Sequence, residues 1–197
     1  MEYEIGTSVR CTDGSAGKIA ALIANPLSRS LTHVAVEVDH EPMSARVVPV
    51  DRVRAVTGTG VELGCSLAEL SRFPEFHDVE FIPYVSTGDL SATLAWPYYG
   101  APTGEMPSIV DRIPAGAVEV RRNDQVYAAD GAVGRVEGLV VDAEGRITHV
   151  LLQEGRLWAR KEVAIPIGAV EAIDDEGIRV RLSRREVADL PELGVGP

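Results

Sequence analysis

The chain has 197 residues, a formal net charge of −11 and 45% apolar side chains, the profile of a globular protein of one or two domains. Its acidity is spread along the whole length instead of being collected in a tail, which disfavours phosphate backbones and anionic lipid as partners. No stretch approaches the roughly 18 apolar residues of a membrane span, and the opening MEYEIGTSVR holds no apolar signal region. The two cysteines, Cys11 and Cys65, read as reduced, buried thiols, so a cytoplasmic location is expected.

Ile5–Arg10 reads as a short strand, followed by the turn Thr12-Asp13-Gly14 and a strand over Gly17–Ala24 that ends at Asn25-Pro26. Leu31–Asp39 carries Val34, Val36 and Val38 at period two, the mark of a half-buried strand. Short strands follow over Arg46–Val50, Val53–Val56 and, after the turn Thr57–Gly60, Val61–Leu63. Ser66-Leu67-Ala68-Glu69 then fits a capping box, which predicts a helix of about two turns ending before Pro74. Residues 83–114 hold five prolines, three glycines and the cluster Trp96-Pro97-Tyr98-Tyr99 without either hydrophobic period, and are expected to be a linker that docks on its own chain or on a partner. From Asp130-Gly131 the chain reads as a hairpin: a strand over Val133–Val141, a polar turn at Asp142–Arg146, and a strand over Ile147–Glu154.

The second half replays the first. Asp13-Gly14, Gly17, Pro49, Gly60, Ser66, Glu69 and Pro74 recur as Asp130-Gly131, Gly134, Pro166, Gly177, Ser183, Glu186 and Pro191, always 117 residues on. Thr32-His33-Val34 recurs as Thr148-His149-Val150 at 116, because the first hairpin turn is one residue longer. Turn glycines, prolines and cap residues at one spacing identify a tandem duplication.

Signatures of chemistry are sparse. There is no GxSxG, phosphate-cradling loop, HExxH or zinc-spaced Cys/His set, so no catalytic residue, cofactor site or metal site is expected. His33 and His149 occupy the same repeated strand position, which favours a structural role; His40 and His77 stand beside Glu41 and Asp78 in expected loops. Asp174-Asp175-Glu176 invites a cation or acid–base reading, but it falls at a hairpin turn where the other repeat has no acid. The segment with the strongest binding chemistry is Arg156-Leu157-Trp158-Ala159-Arg160-Lys161. It places an indole among three cations, side chains enriched at protein-binding hot spots and also suited to RNA. The first repeat has nothing similar at Glu41–Arg46. Candidate partner-binding residues are therefore Arg156, Trp158, Arg160 and Lys161, with Trp96, Tyr98 and Tyr99 of the linker.

The pattern DGxxGRVxxLVVD followed by GRITHVLL and KEVAIPIGAVEAIDDEGIRV resembles the PRC-barrel family, and DGxxGKIAALI, LTHVAVEV and VVPVDRVRAV carry a looser form of it. The resemblance implies a mainly β chain of two small antiparallel barrels in tandem, each ending in a short helix. The boundaries would be 1–82 for the first barrel, 83–114 for the linker and 115–197 for the second. It implies a docking module, as in the cytoplasmic cap formed by the reaction-centre H subunit and the C-terminal domain of ribosome maturation factor. The leading expectation is thus a non-enzymatic adaptor with a protein partner, self-association to a homodimer included. A ribosome- or RNA-linked factor using Arg156, Trp158, Arg160 and Lys161 is one alternative, and a cytoplasmic cap on a membrane electron-transport complex is another. A third is an enzyme or ligand carrier, which would show a deep polar pocket at the linker reached by His33 or His149.

Overall fold

A computed structural model describes residues 1–39, 44–85, 103–154, 161–174 and 176–191, with the backbone alone at 78–85, 103–111, 154 and 161. The first repeat contributes β1 (Glu2–Glu4), β2 (Ser8–Cys11), β3 (Gly14–Asn25), β4 (Ser30–Val38), β5 (Ala45–Pro49), β6 (Val53–Thr57), β7 (Gly60–Leu63) and α1 (Leu67–Leu70). Two strands follow, β8 (His77–Val85) and β9 (Thr103–Asp111). The second repeat contributes β10 (Val118–Arg121), β11 (Gln125–Ala128), β12 (Gly131–Val141), β13 (Ile147–Glu154), β14 (Lys161–Pro166), β15 (Val170–Asp174), β16 (Gly177–Val180) and α2 (Arg184–Ala188).

The mainly β class and the short closing helices agree with the sequence reading. Each repeat builds a sheet of seven strands, ordered β5-β4-β3-β2-β7-β6 in the first and β14-β13-β12-β11-β16-β15 in the second. Two features refine the expected antiparallel barrels. The hydrogen-bonded path is open, with β5 and β6, or β14 and β15, as its ends. Each sheet also holds one parallel pair, Val9 beside Val61 and Val126 beside Ile178.

The seventh strand of each sheet comes from the other repeat. β1 pairs with β12, setting Glu2, Tyr3 and Glu4 opposite Val140, Leu139 and Gly138. β10 pairs with β3, setting Glu119, Val120 and Arg121 opposite Ile23, Leu22 and Ala21. All these residues correspond at 117, so the exchange is reciprocal and the repeats are related by a pseudo-two-fold operation. Tyr3 and Val120, both 1% exposed, occupy equivalent places in opposite sheets. After each exchanged strand the chain turns back into its own sheet through a left-handed corner, Gly6 at φ +97° and Asn123 at φ +75°. These are residue types that tolerate such a backbone. The same bonds fix both corners: the Gly6 amide donates to the Ile19 carbonyl at 2.8 Å and the Asn123 amide to the Val136 carbonyl at 3.1 Å.

The equivalent hairpin turns meet on the same pseudo-axis. The Leu31 amide donates to the Gly145 carbonyl at 3.0 Å, and the Ile147 amide to the Arg29 carbonyl at 2.8 Å. Arg29 also donates to the carbonyls of Ile167 at 3.3 Å and Val170 at 3.4 Å. A single hydrophobic cluster runs through both repeats, from Tyr3, Ile19, Leu22 and Val34 to Leu139, Val150, Ile165 and Ile178.

The residues repeated at constant spacing are accounted for by scaffolding. Ser66 and Ser183 accept the amides of Glu69 and Glu186, whose carboxylates return to the serine amides, so both capping boxes form. The Asp-Gly turns add a second cap: Asp13 accepts the Leu67 amide at 2.9 Å and Asp130 the Arg184 amide at 2.7 Å. These are the free amides of each helix's first turn. Gly17 and Gly134 allow β3 and β12 to approach the next strand; a Cβ there would lie 1.8 Å from the Glu37 carbonyl oxygen and 2.5 Å from that of Gln153.

The interval expected to be a linker, 83–114, holds the end of β8 and all of β9. β8 and β9 pair in register from His77 opposite Asp111 to Val85 opposite Thr103, and residues 77–112 form a compact unit of their own. Pro83 faces Glu105 and Pro107 faces Phe81 in this ribbon. A two-stranded ribbon tolerates proline because each strand keeps one edge that needs no donor. Of the three acids at the β15–β16 turn, Asp174 and, at 3.0 Å, Glu176 pair with Arg179, and Asp175 lies outside the described residues.

Shared core and exchanged strands make the two sheets one cooperative body. Tyr3→Ala is expected to lower its stability by about 3 kcal/mol or more, by analogy with other buried aromatic truncations. Denaturant unfolding should show one transition at a reduced midpoint; two separated transitions would contradict this architecture.

Candidate functional site

Residues 155–160 connect β13 to β14, and residues 86–102 connect β8 to β9. Arg156, Trp158, Arg160, Trp96, Tyr98 and Tyr99 therefore lie outside the described residues. Lys161 is described by its backbone, which opens β14 opposite Glu154. His40 also lies outside the described residues.

Beside the cationic run in sequence stands Glu162, and the strand exchange brings two acids of β1 to it. One carboxylate oxygen each of Glu2, Glu4 and Glu162 lie within 4.8 Å of one another. Burial first, then the charges of Glu4, Glu2 and Glu137, push the Glu162 carboxyl above its ordinary range. Glu137 is itself paired with Arg122 at 2.8 Å. The set offers hard oxygen ligands, and both Glu2 and Glu4 are exposed.

The same outer face of the first sheet is of opposite character. Ala45 and Ala20 stand where the second repeat has Glu162 and Glu137. There Ala21, Ile23, Ala35, Ala45 and Val47 pack with Phe76, and Ile113 and Ala117 lie against them. Arg121 stacks over the Phe76 ring at 5.8 Å and pairs with Glu119 at 2.8 Å. The β12–β13 and β3–β4 turns meet beside two open grooves at the repeat junction. One, of about 460 Å³, is lined by Arg29, Asp142, Arg146, Thr148 and His149. The other, of about 230 Å³, is lined by Pro26, Leu27, Ile167, Ala172 and Ile173. Leu27 is 94% exposed at its rim.

His33 and His149, equivalent in sequence, stand in different surroundings. His149 reaches the larger groove, where its Nδ1 lies 3.1 Å from Thr148 Oγ1. Asp142, on the same groove, has its carboxylate taken up by the Glu144 and Arg146 amides and the Arg146 guanidinium at 2.9 Å. The equivalent His33 has a buried Nδ1 with no hydrogen-bond partner among the described residues, and burial holds its pKa below the ordinary value against the opposing charge of Asp51. Cys11 and Cys65 are free and buried, as expected, and their sulfurs lie 4.0 Å apart. No polar or charged residue is buried among those described. Among them, too, no helix is long and apolar enough to cross a membrane.

The acid cluster was not legible in the sequence. Glu2 and Glu4 are far from Glu162 along the chain and meet it through the exchange; the signal was that Glu2–Glu4 itself recurs at 117 as Glu119–Arg121.

Because Glu162 keeps its proton to higher pH in the folded chain than in the unfolded one, it costs stability as pH rises from the unfolded carboxylate value through the raised one. Glu162→Gln is expected to stabilise the protein near pH 7, with the gain vanishing below about pH 4, where the unfolded carboxyl is protonated as well. Urea unfolding at both pH values measures this; an unchanged midpoint near neutrality would contradict it.

The PRC-barrel domain family matches residues 122–187. The match begins at the residue after β10, where the chain leaves the first sheet, and ends inside α2. It covers the second repeat from Arg122 to Val187; the likeness of the first rests on the shared spacing, bulges, caps and strand order. No curated protein matches the chain.

Proposed function

We propose that this chain, whose second repeat is a PRC-barrel domain, is a non-catalytic cytoplasmic adaptor: a two-sheet body that holds binding segments toward a protein partner. One observation carries the reading. Where the repeats coincide, the shared residues are spent on scaffold: the caps of Asp13 and Asp130, the boxes of Ser66 and Ser183, the close approaches at Gly17 and Gly134. The segments with binding chemistry, 155–161 and 83–114, are those the repeats do not share. A core without buried polar residues among those described supports a stable carrier over acid–base chemistry. A hot-spot segment of Arg156, Trp158, Arg160 and Lys161, with Trp96, Tyr98 and Tyr99, supplies the aromatic and cationic anchors that dominate protein interfaces. A second copy of the chain is one partner that these segments could engage, giving a homodimer. The net charge of −11 weighs against the RNA-linked alternative.

The test uses the full chain immobilised in native lysate beside two variants. One carries Arg156→Ala, Trp158→Ala and Arg160→Ala; the other carries Trp96→Ala, Tyr98→Ala and Tyr99→Ala. One variant is expected to lose a defined protein by about tenfold or more, equivalent to ~1.4 kcal/mol, while melting as the parent does. Sedimentation of the same variants shows whether that protein is a second copy. Retention unchanged in both, or retention of RNA alone that nuclease removes, refutes the adaptor reading.

A further inference from the structure

We infer that Cys11 and Cys65 form an oxidisable dithiol, which closes into an intramolecular disulfide on reaction with a low-molecular-weight disulfide. The fold brings the pair together. β2 and β7 run parallel with Val9 beside Val61 and Arg10 beside Glu62; Cys11 ends β2, and Cys65 lies two residues beyond the end of β7. The two chains stay joined past the strands, because Thr12 donates to the Cys65 carbonyl from its amide at 3.0 Å and from its hydroxyl at 3.3 Å. The sulfurs already stand 4.0 Å apart, so closure needs side-chain rotation and no rearrangement of the sheet.

The thiols are not demanded by the scaffold. In the second repeat Ala128 and Leu182 hold the same positions, and the same bond joins the chains there, from the Ala129 amide to the Leu182 carbonyl at 2.9 Å. The sulfur pair belongs to one repeat.

Two exchanges complete the reaction. A protein thiolate attacks one sulfur of the small disulfide, whose S–S bond breaks and releases one small thiolate. The second cysteine then gives up its proton and attacks the protein sulfur of this mixed disulfide. The protein S–S bond forms and the second small thiolate leaves. Two protein thiols are oxidised and one small disulfide is reduced to two thiols. Burial, then the adjoining Cys65 sulfur, pushes the Cys11 thiol up to about 12. Closure is therefore slow at neutral pH and accelerates in mild base.

The full chain is incubated with oxidised glutathione and examined by intact mass, by alkylation after denaturation, and by thermal melting. The expected product is lighter by two hydrogens, carries no glutathione, has lost both alkylation sites together, and regains them with reductant. Its melting midpoint is several degrees higher, because the bond closes a loop between residues 54 positions apart. Cys11→Ala, which installs the residue of the second repeat, is expected to melt normally and to show neither the mass loss nor the oxidant-dependent rise. Two thiols that remain alkylatable, glutathione retained on both cysteines, or linkage between two chains on a non-reducing gel would each overturn the inference.

Discussion

Tyr3 and Val120 are each buried in the sheet of the repeat to which they do not belong, and most of the architecture follows from that placement. A sheet that lacks its seventh strand exposes the apolar residues that strand covers, so neither repeat is complete without the other. The exchange forces both corners at Gly6 and Asn123, draws the Arg29 and Gly145 turns together, and merges what would be two small cores into one. Repeats of this length lie near the size at which a lone core is marginal. Sharing strands gives them the burial of a larger domain.

Much of this was legible where the signal is local. Period-two valines located β4, the turn at Asp142–Arg146 located the hairpin, and the strand expected over Ile147–Glu154 has those bounds. The Ser-Leu-Ala-Glu box announced α1, although the helix is a single turn. What failed to show was non-local. β1 and β10 are too short to carry a period, and no sequence pattern states which sheet an edge strand joins. Pro83 and Pro107 hid the β8–β9 ribbon because proline counts against strands in general, while the ribbon's free edges remove the objection. Among the candidate site residues, the aromatic and cationic ones were singled out by composition alone. The acid cluster had no such mark, since its members converge through topology.

Duplication has kept the interior and changed the outside. The positions of Ala45 and Ala20, packed in and against the Phe76 cluster of one sheet, carry Glu162 and Glu137 in the other, near the acids of β1. One outer face is apolar and covered; its equivalent holds mutually repelling carboxylates. A pseudo-symmetric body has thereby become polar, with two ends that no single partner surface fits equally.

The exchanged strands also bear on how the chain is made. β1 leaves the ribosome well before the strand it pairs with, and Tyr3 waits for Leu139 before it has a place to pair. At about 5–20 residues per second, the delay is on the order of ten seconds. Over most of that time the β3 edge at Ala21–Ala24 is also open, because β10 has not been synthesised. A nascent chain in this state offers a donor strand and an acceptor edge at once, and so does its neighbour on the same message. Correct folding thus depends on the second half arriving before another molecule's first half does.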